Sequence, residues 1–476
     1  MMDNTFNFKA CTSILIGKDA SIDGSTMIGR NEDSRAAWAK ALVVRPHEEF
    51  LEPQTFVSKD NGFTMELPKV RGKYTATPEW TKEFGLFEEA GINEYGVAMS
   101  ATESTYTNER ALAVDPLETD GIGEEAMVTV VLPYVQSARE GVRRLGMIIE
   151  EYGTCESNGV LFSDREEVWY FESAGGHQWV AQRIPDDAYA VVANQMAIQE
   201  IDFDDADNFI YKSDLRDVVS QNHLNPNPET FNWRNIFGTH DLSDAYYNTP
   251  RVWYGQQMFN PEIAQVPASD DMPFIRKANR KISRLEAQQF LASHFEGTAF
   301  DPIGVGSEQE KRQFRPVSLA KTQESHILQI RPNMPTEVAG IHWIAQGVAA
   351  QSVYVPFYAG ATTTPAEYQL ATEKYHPQSA YWIFKLVGVL VDPHYLQFGR
   401  TLQDTQKKLN VILAANVARA DCQARQLTGD TLIEYLTAQS NANAKLALAE
   451  YQKLAAELIT TATDLSPLNF KQDMNL

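Results

Sequence analysis

Cys11 heads a short apolar run, Thr12-Ser13-Ile14-Leu15-Ile16-Gly17, and a second run, starting at Thr26, ends in Gly29-Arg30-Asn31-Glu32-Asp33. A cysteine thiol is mostly protonated near neutral pH and needs a base or a neighbouring cation to act as a nucleophile. The nine histidines of the chain show none of the surroundings of a papain-type site. The other available base is the cysteine's own α-amine, which titrates near pH ~8 and lies a few bonds from the sulfur. That chemistry requires Cys11 to become the first residue, so Met1 to Ala10 would have to be removed. It also asks for a carboxylate or amide to orient the amine, a cation beside the sulfur and an amide donor for the oxyanion. Alone, a cysteine at a strand start is usually a small buried hydrophobe. The Arg-Asn-x-Asp segment is what makes Cys11 a candidate nucleophile.

These residues need strands to hold them. Cys11 to Gly17 and Thr26 to Arg30 flank Asp23-Gly24, a strong hairpin turn signal. Ala41 to Arg45 and Val97 to Thr102 read as further strands. Gly123-Glu124-Glu125-Ala126 opens a helical block, with acids suited to a helix N-terminus. Pro133 interrupts or kinks that block, which resumes from Ala138 to Tyr152 and stops at Gly153. Strands follow at Val160 to Ser163, Val168 to Glu172, Trp179 to Ile184 and Tyr189 to Ala193, the last ending at Asn194. The stretch from about Ala206 to Ser318 is mixed and rich in Asn, Asp and Pro. Strand signals return at Ile327 to Ile330, Ile341 to Gln346 and Ser352 to Tyr358. Ser379 to Val391, Tyr395 to Arg425 and Gly429 to Thr461 are helical, broken at Pro393 and Gly429. Hairpins, a helical pair and more hairpins imply a layered α+β fold and not a βαβ winding.

Composition narrows the function classes. The 476 residues are 43% hydrophobic and carry a net charge of -22. So acidic a chain repels phosphate backbones, which argues against a nucleic-acid partner. No apolar run is long enough to span a bilayer, and the first ten residues lack the pattern of a secretory signal. The three cysteines, Cys11, Cys155 and Cys422, lie far apart and form no CxxC, so neither a disulfide framework nor a cysteine zinc site is expected. A cytoplasmic setting fits best. His177, in Gly175-Gly176-His177, has no second ligand at metal spacing and reads as structural.

The motifs together resemble a known family. Cys11-Thr12 with Gly29-Arg30-Asn31-Glu32-Asp33 looks like the opening of the N-terminal nucleophile (Ntn) cysteine hydrolases, which include penicillin V acylases and bile salt hydrolases. The match is closer to their dipeptidase branch, the PepD-type dipeptidases. It extends through Gly91-Ile92-Asn93-Glu94-Tyr95-Gly96, Leu132-Pro133-Tyr134, Asn194-Gln195 and Tyr246-Tyr247-Asn248-Thr249-Pro250-Arg251-Val252-Trp253. The resemblance implies a four-layer αββα sandwich, in three parts. Residues 1–10 would be a propeptide lost by self-cleavage, 11–365 the Ntn-hydrolase domain, and 366–476 a helical C-terminal extension packed on it. By motif position it implies Cys11 as nucleophile, Arg30 beside the sulfur, Asp33 holding the α-amine, Asn194 at the oxyanion and Arg251 as a second active-site arginine. It implies small dipeptide substrates and no metal or cofactor, and the helical tail is compatible with a homo-oligomer.

One position departs from the acylase pattern. Where that branch carries a second asparagine, this chain has Glu103 in the nearest register. An ionised glutamate cannot donate to an oxyanion, but it suits the ammonium of a dipeptide with a free amino end. Two rivals stand beside the dipeptidase. An amidase acting on N-acyl amides such as penicillin V or bile salts would want a large apolar pocket and the missing asparagine. A catalytically inactive scaffold of the same fold would have lost Cys11, Arg30 or Asp33, and all three are present.

Overall fold

In the computed structural model, which describes residues 11–469, the strands Thr12–Ile16 and Thr26–Asp33 pair antiparallel, Ser13 opposite Arg30. The turn between them rests on Asp23, whose carboxylate accepts from the Ser25 amide at 3.1 Å and the Ser25 hydroxyl at 2.5 Å. Gly24 follows at φ +77°, a left-handed conformation that glycine adopts without steric cost. The expected second strand, Thr26 to Arg30, runs three residues further. Glu32 and Asp33 continue it because each meets a cation, Lys40 at 2.9 Å and Arg315 at 2.5 Å.

This hairpin is the centre of a seven-stranded antiparallel sheet. Its order is Ile275–Lys277, Ala188–Val192, Thr12–Ile16, Thr26–Asp33, Thr322–Ile330, Gly340–Gln346, Val355–Tyr358. A six-stranded sheet holds Phe209–Tyr211, Gln178–Ile184, Val168–Ala174, Asn158–Ser163, Ala98–Ser104 and Ala90–Ile92, in that order. Side-chain alternation explains how the sheets pack. Leu15, Ile28 and Leu328 share one core cluster with Leu161, Tyr170 and Val180 of the second sheet. Their sequence neighbours point the other way. Ile14, Ile16 and Ile327 join Phe290 and Leu291 of the helix Arg284–Leu291. Phe162, Trp169 and Phe171 join Val142 and Leu145 of the helix Ala138–Tyr152. Each central strand is thus buried on both faces, which is why its apolar run is almost unbroken.

The helical block resolves into Glu124–Val131, a 3₁₀ turn Leu132–Tyr134 holding Pro133, and Ala138–Tyr152. The mixed middle region contains three short helices, Leu215–Gln221, Trp233–Phe237 and Asp244–Tyr247, and two that reach the site and the core beneath it, Thr249–Phe259 and Arg284–Leu291. Ser283 and Glu286 form a reciprocal capping box on the last of these. The tail folds as Ala380–Val391, Tyr395–Ala424 and Gly429–Ala462. Val387, Leu413, Leu448 and Tyr451 from these helices share a core cluster with Ile344, Val355 and Phe357 of the seven-stranded sheet. No helix of the described residues is long and apolar enough to cross a membrane.

Candidate active site

Cys11 immediately precedes the strand Thr12–Ile16 and is 2% exposed. Burial pushes its thiol well above the ordinary range, and the nearby Arg30 guanidinium offsets only part of this. Arg30 lies across the ladder on the second strand of the hairpin. Its Nη1 donates to Cys11 Sγ at 3.1 Å and to the Thr102 carbonyl at 3.0 Å. Its Nη2 donates to Glu89 Oε2 at 2.6 Å and to the Ala101 carbonyl at 2.8 Å, and its Nε to Ser100 Oγ at 2.9 Å. The fork is fully buried and held in one orientation by both sheets.

Behind Ser100 the chain of hydrogen bonds continues. Ser100 Oγ accepts from Arg30, so its own hydrogen is available for His326 Nε2, 2.9 Å away. Burial keeps His326 neutral. Its Nδ1 is then the protonated nitrogen, donating to Glu324 Oε1 at 2.8 Å. A buried row therefore runs Glu324, His326, Ser100, Arg30, Cys11.

Asp33 ends the second strand of the hairpin. It accepts from Thr322 Oγ1 and from Arg315 Nη2, both at 2.5 Å, and lines the same cavity as Cys11. Asn194 follows the strand Ala188–Val192, which pairs Val192 with Ser13. Asn194 lies two residues beyond that pair and is bridged by Arg251 to the Cys11 carbonyl. Its Oδ1 accepts from Arg251 Nη2 at 2.9 Å and its Nδ2 donates to the Ser104 carbonyl at 3.2 Å. Arg251, in the helix Thr249–Phe259, also donates to Asn248 Oδ1 at 2.6 Å, to Thr12 Oγ1 at 2.8 Å and to the Cys11 carbonyl. Burial, then the neighbouring Arg315, lowers its pKa to about 9.

Glu103 is placed differently from these five. It is fully buried in the strand Ala98–Ser104, and its Oε2 accepts from Ser13 Oγ at 2.5 Å. Its Oε1 has no hydrogen-bond partner among the described residues. Burial pushes the carboxyl up to about 7, against the pull of Arg251. Its charge acts on the Cys11 thiol, yet it does not line the cavity there.

That cavity measures about 200 Å³ and has Cys11, Glu32, Asp33 and Glu89 among its lining residues. One wall carries Phe84, Phe87 and Glu89, and of these Phe87 and Glu89 adopt left-handed backbone at φ +43° and +51°. Lys40 holds this wall by donating to the Phe87 carbonyl at 2.9 Å, and Arg30 holds it through Glu89. Among the described residues, no group of three His, Cys, Asp or Glu side chains could hold a metal ion.

Several of these residues escape a reading of the sequence. Glu89, Ser100, Arg315 and His326 reach the site from distant parts of the chain, and no local motif marks them. His177 pairs with Asp115 at 2.9 Å, in keeping with a structural histidine. Residues 1–10, expected to be a removable propeptide, lie outside the described residues.

A buried cysteine with a guanidinium on its sulfur, at a small cavity, is a thiol-centred site. The family model of peptidase family C69 matches residues 10–408, and the chain belongs to that family. It is 46% identical to a probable dipeptidase of Latilactobacillus sakei, over 100% of both chains. It is 42% identical to a probable dipeptidase B of Lactococcus lactis subsp. lactis, over 97% of each. It is 40% identical to dipeptidase A of Lactobacillus helveticus, over 95% of this chain and 96% of that one.

Proposed function

We propose that this protein is a cysteine-type dipeptidase whose nucleophile is Cys11, exposed as an N-terminal residue when residues 1–10 are cut away. The observation that carries the reading is the 3.1 Å contact from Arg30 to Cys11 Sγ beside a cavity of about 200 Å³. Drug-sized ligands occupy pockets of ~300–1,000 Å³, so the cavity suits a dipeptide better than the N-acyl amides of the acylase rival. The intact set of Cys11, Arg30 and Asp33 argues against an inactive scaffold. Relatives named as dipeptidases over nearly their whole length support the substrate class.

The freed α-amine of Cys11 takes the thiol proton, and Asp33 orients that amine. Arg30 stabilises the thiolate, which burial alone would disfavour. Sulfur attacks the peptide carbonyl carbon, and the carbonyl π electrons move to oxygen. The second Nδ2 hydrogen of Asn194 and a backbone amide receive that oxyanion. Collapse breaks the carbon–nitrogen bond while the α-ammonium of Cys11 protonates the departing amine. The same amine then takes a proton from water, which attacks the thioester and releases the acid and the thiolate. Arg251 fixes Asn194 and the Cys11 carbonyl. Glu103 does not line the cavity beside Cys11, but it is buried next to it with one oxygen unpartnered and is proposed as the contact for the substrate ammonium. No metal or cofactor is required by these steps.

The layering of helices outside two facing sheets supports a four-layer αββα sandwich of the Ntn-hydrolase type, with 11–365 as its domain and 366–476 as a helical extension packed on it. A cytoplasmic setting rests on the free state of Cys11, Cys155 and Cys422. The test compares Ala-Ala, N-acetyl-Ala-Ala and penicillin V as substrates. Cleavage of Ala-Ala alone is expected. Comparable turnover of the blocked compounds would favour an acylase and remove Glu103 from substrate binding.

A further inference from the structure

Charge is unevenly distributed around the cavity beside Cys11. Six carboxylates line it (Glu32, Asp33, Asp60, Glu79, Glu89 and Glu124), against one lining cation among the described residues, Arg35. Lys40, Arg315 and Arg30 engage Glu32, Asp33 and Glu89 from within the protein. A separate observation points to a ligand. Glu32 is 4% exposed, its Oε1 takes Lys40 at 2.9 Å, and its Oε2 has no hydrogen-bond partner among the described residues. Burial pushes this carboxyl up to about 8, and a buried oxygen without a partner is costly; N–H groups brought by a cationic ligand relieve it and hold the group ionised.

The mouth of the cavity adds a third feature. Trp38 and Phe84 line it with ring centroids 5.9 Å apart, and the Arg35 guanidinium lies 4.5 Å above the Trp38 ring. This ring face already accepts a cation. Glu79 lines the same mouth, half-buried, and the exposed Asp60 joins it from the turn of the hairpin Gln54–Val57/Thr64–Leu67. Aromatic faces with carboxylates around them match an ammonium or guanidinium on an aliphatic stem, whose methylenes pack on the rings while the head meets the acids.

The two ends of a dipeptide differ in charge, and this decides which residue enters. The carboxy-terminal residue carries the free carboxylate, which the acidic mouth, with Asp60 and Glu79 outside those three internal ion pairs, repels. The amino-terminal residue carries none. We propose, resting on the dipeptidase reading above, that this cavity receives the side chain of the amino-terminal residue and selects Lys- and Arg-initiated dipeptides over neutral ones and, most strongly, over Glu- and Asp-initiated ones.

The test measures kcat/KM of the mature enzyme for Lys-Ala, Ala-Ala and Glu-Ala, which share a free ammonium and a leaving group. The expected order is Lys-Ala, Ala-Ala, Glu-Ala, with Lys-Ala and Glu-Ala separated by on the order of 100-fold, since like charges facing each other in a site are costly. Glu79→Gln should narrow that separation by about 10-fold. Asp60→Asn, at an exposed turn where folding is not at stake, should narrow it less. Salt at ~1 M should also compress it, because the mouth is open to screening. Equal kcat/KM for the three peptides, or a separation that neither variant changes, would overturn the proposal and leave the dipeptidase reading intact. Hydrolysis of none of the three would instead strike at the dipeptidase reading.

Discussion

Arg251 donates through Nη2 to Asn194 Oδ1 at 2.9 Å, and this bond settles which end of the Asn194 amide can donate. With Oδ1 engaged, the NH₂ group faces the other way. One of its hydrogens goes to the Ser104 carbonyl, leaving the second for the oxyanion of the proposed mechanism. Asn194→Ala is therefore expected to lower kcat by ~10²–10³ with little change in KM, the usual cost of one lost oxyanion donor. Asn194→Asp should be at least as damaging, because a carboxylate accepts and cannot donate. A variant with unchanged kcat would place Asn194 outside the reaction.

The row Glu324, His326, Ser100, Arg30, Cys11 makes a prediction about the thiol itself. Arg30→Ala removes the cation from the sulfur and should raise the pH at which Cys11 reacts with iodoacetamide. Ser100→Ala leaves the cation in place and removes only the group that holds Nε. It should move the profile in the same direction by a smaller amount and lower kcat more than it alters KM. His326→Ala should behave like Ser100→Ala. If Ser100→Ala and His326→Ala leave the alkylation profile where it is, the row is only a structural support for the core.

How far the sequence revealed this site depends on distance along the chain. The hairpin carrying Cys11 and Arg30 is legible because turn, strands and motif lie within 23 residues, Cys11 to Asp33. The second strand, expected over Thr26 to Arg30, runs on through Glu32 to Asp33. Their partners, Lys40 and Arg315, are what bury them, and Arg315 lies 282 positions away. The strand expected over Val97 to Thr102 runs as Ala98–Ser104, with Glu103 held by Ser13 from the facing sheet. The helix Arg284–Leu291 left a local trace, Ser283 followed three residues later by Glu286, in a region otherwise dominated by turn residues. His326 and Ser100 had no such trace. Both lie in strands whose alternation shows that they point inward but not what they meet.

Processing provides the third prediction. Burial raises the Cys11 thiol even with Arg30 on its sulfur, so the proposed mechanism needs a base there, and it assigns that role to the freed α-amine. Intact mass and N-terminal sequencing of active enzyme should give a chain beginning at Cys11. Cys11→Ala should keep residues 1–10 and have no turnover, whereas Cys155→Ala and Cys422→Ala should retain nearly full activity. A fully active enzyme that still carries Met1 to Ala10 would sink the mechanism.

The last prediction concerns stability and pH. Burial is the main cause that pushes Glu103 up to about 7 from an ordinary 4.5. Glu172 is likewise raised to about 7, although it accepts from the amides of Ala197 at 2.6 Å and Ile198 at 3.2 Å. A folded pKa above the unfolded one means that the native state holds protons the unfolded chain has already released. Between about pH 4.5 and 7 the native state binds more protons, so stability falls as pH rises. The contribution of each group is complete below about pH 4.5 and is lost as pH climbs through about 7. For a shift of this size it is on the order of 3 kcal/mol. Through these two groups Tm is expected to decline from pH 5.5 to pH 8. The buried His326 and His342, held well below the ordinary histidine range, favour the higher pH, so the Glu103 contribution is read from the difference between variant and parent. Glu103→Gln keeps the shape and the Ser13 contact but removes one titration. Relative to the parent, the variant should gain stability at pH 8 and lose that advantage at pH 5. Calorimetry of both proteins across this range decides the matter, and parallel curves would show that Glu103 does not carry the proposed proton.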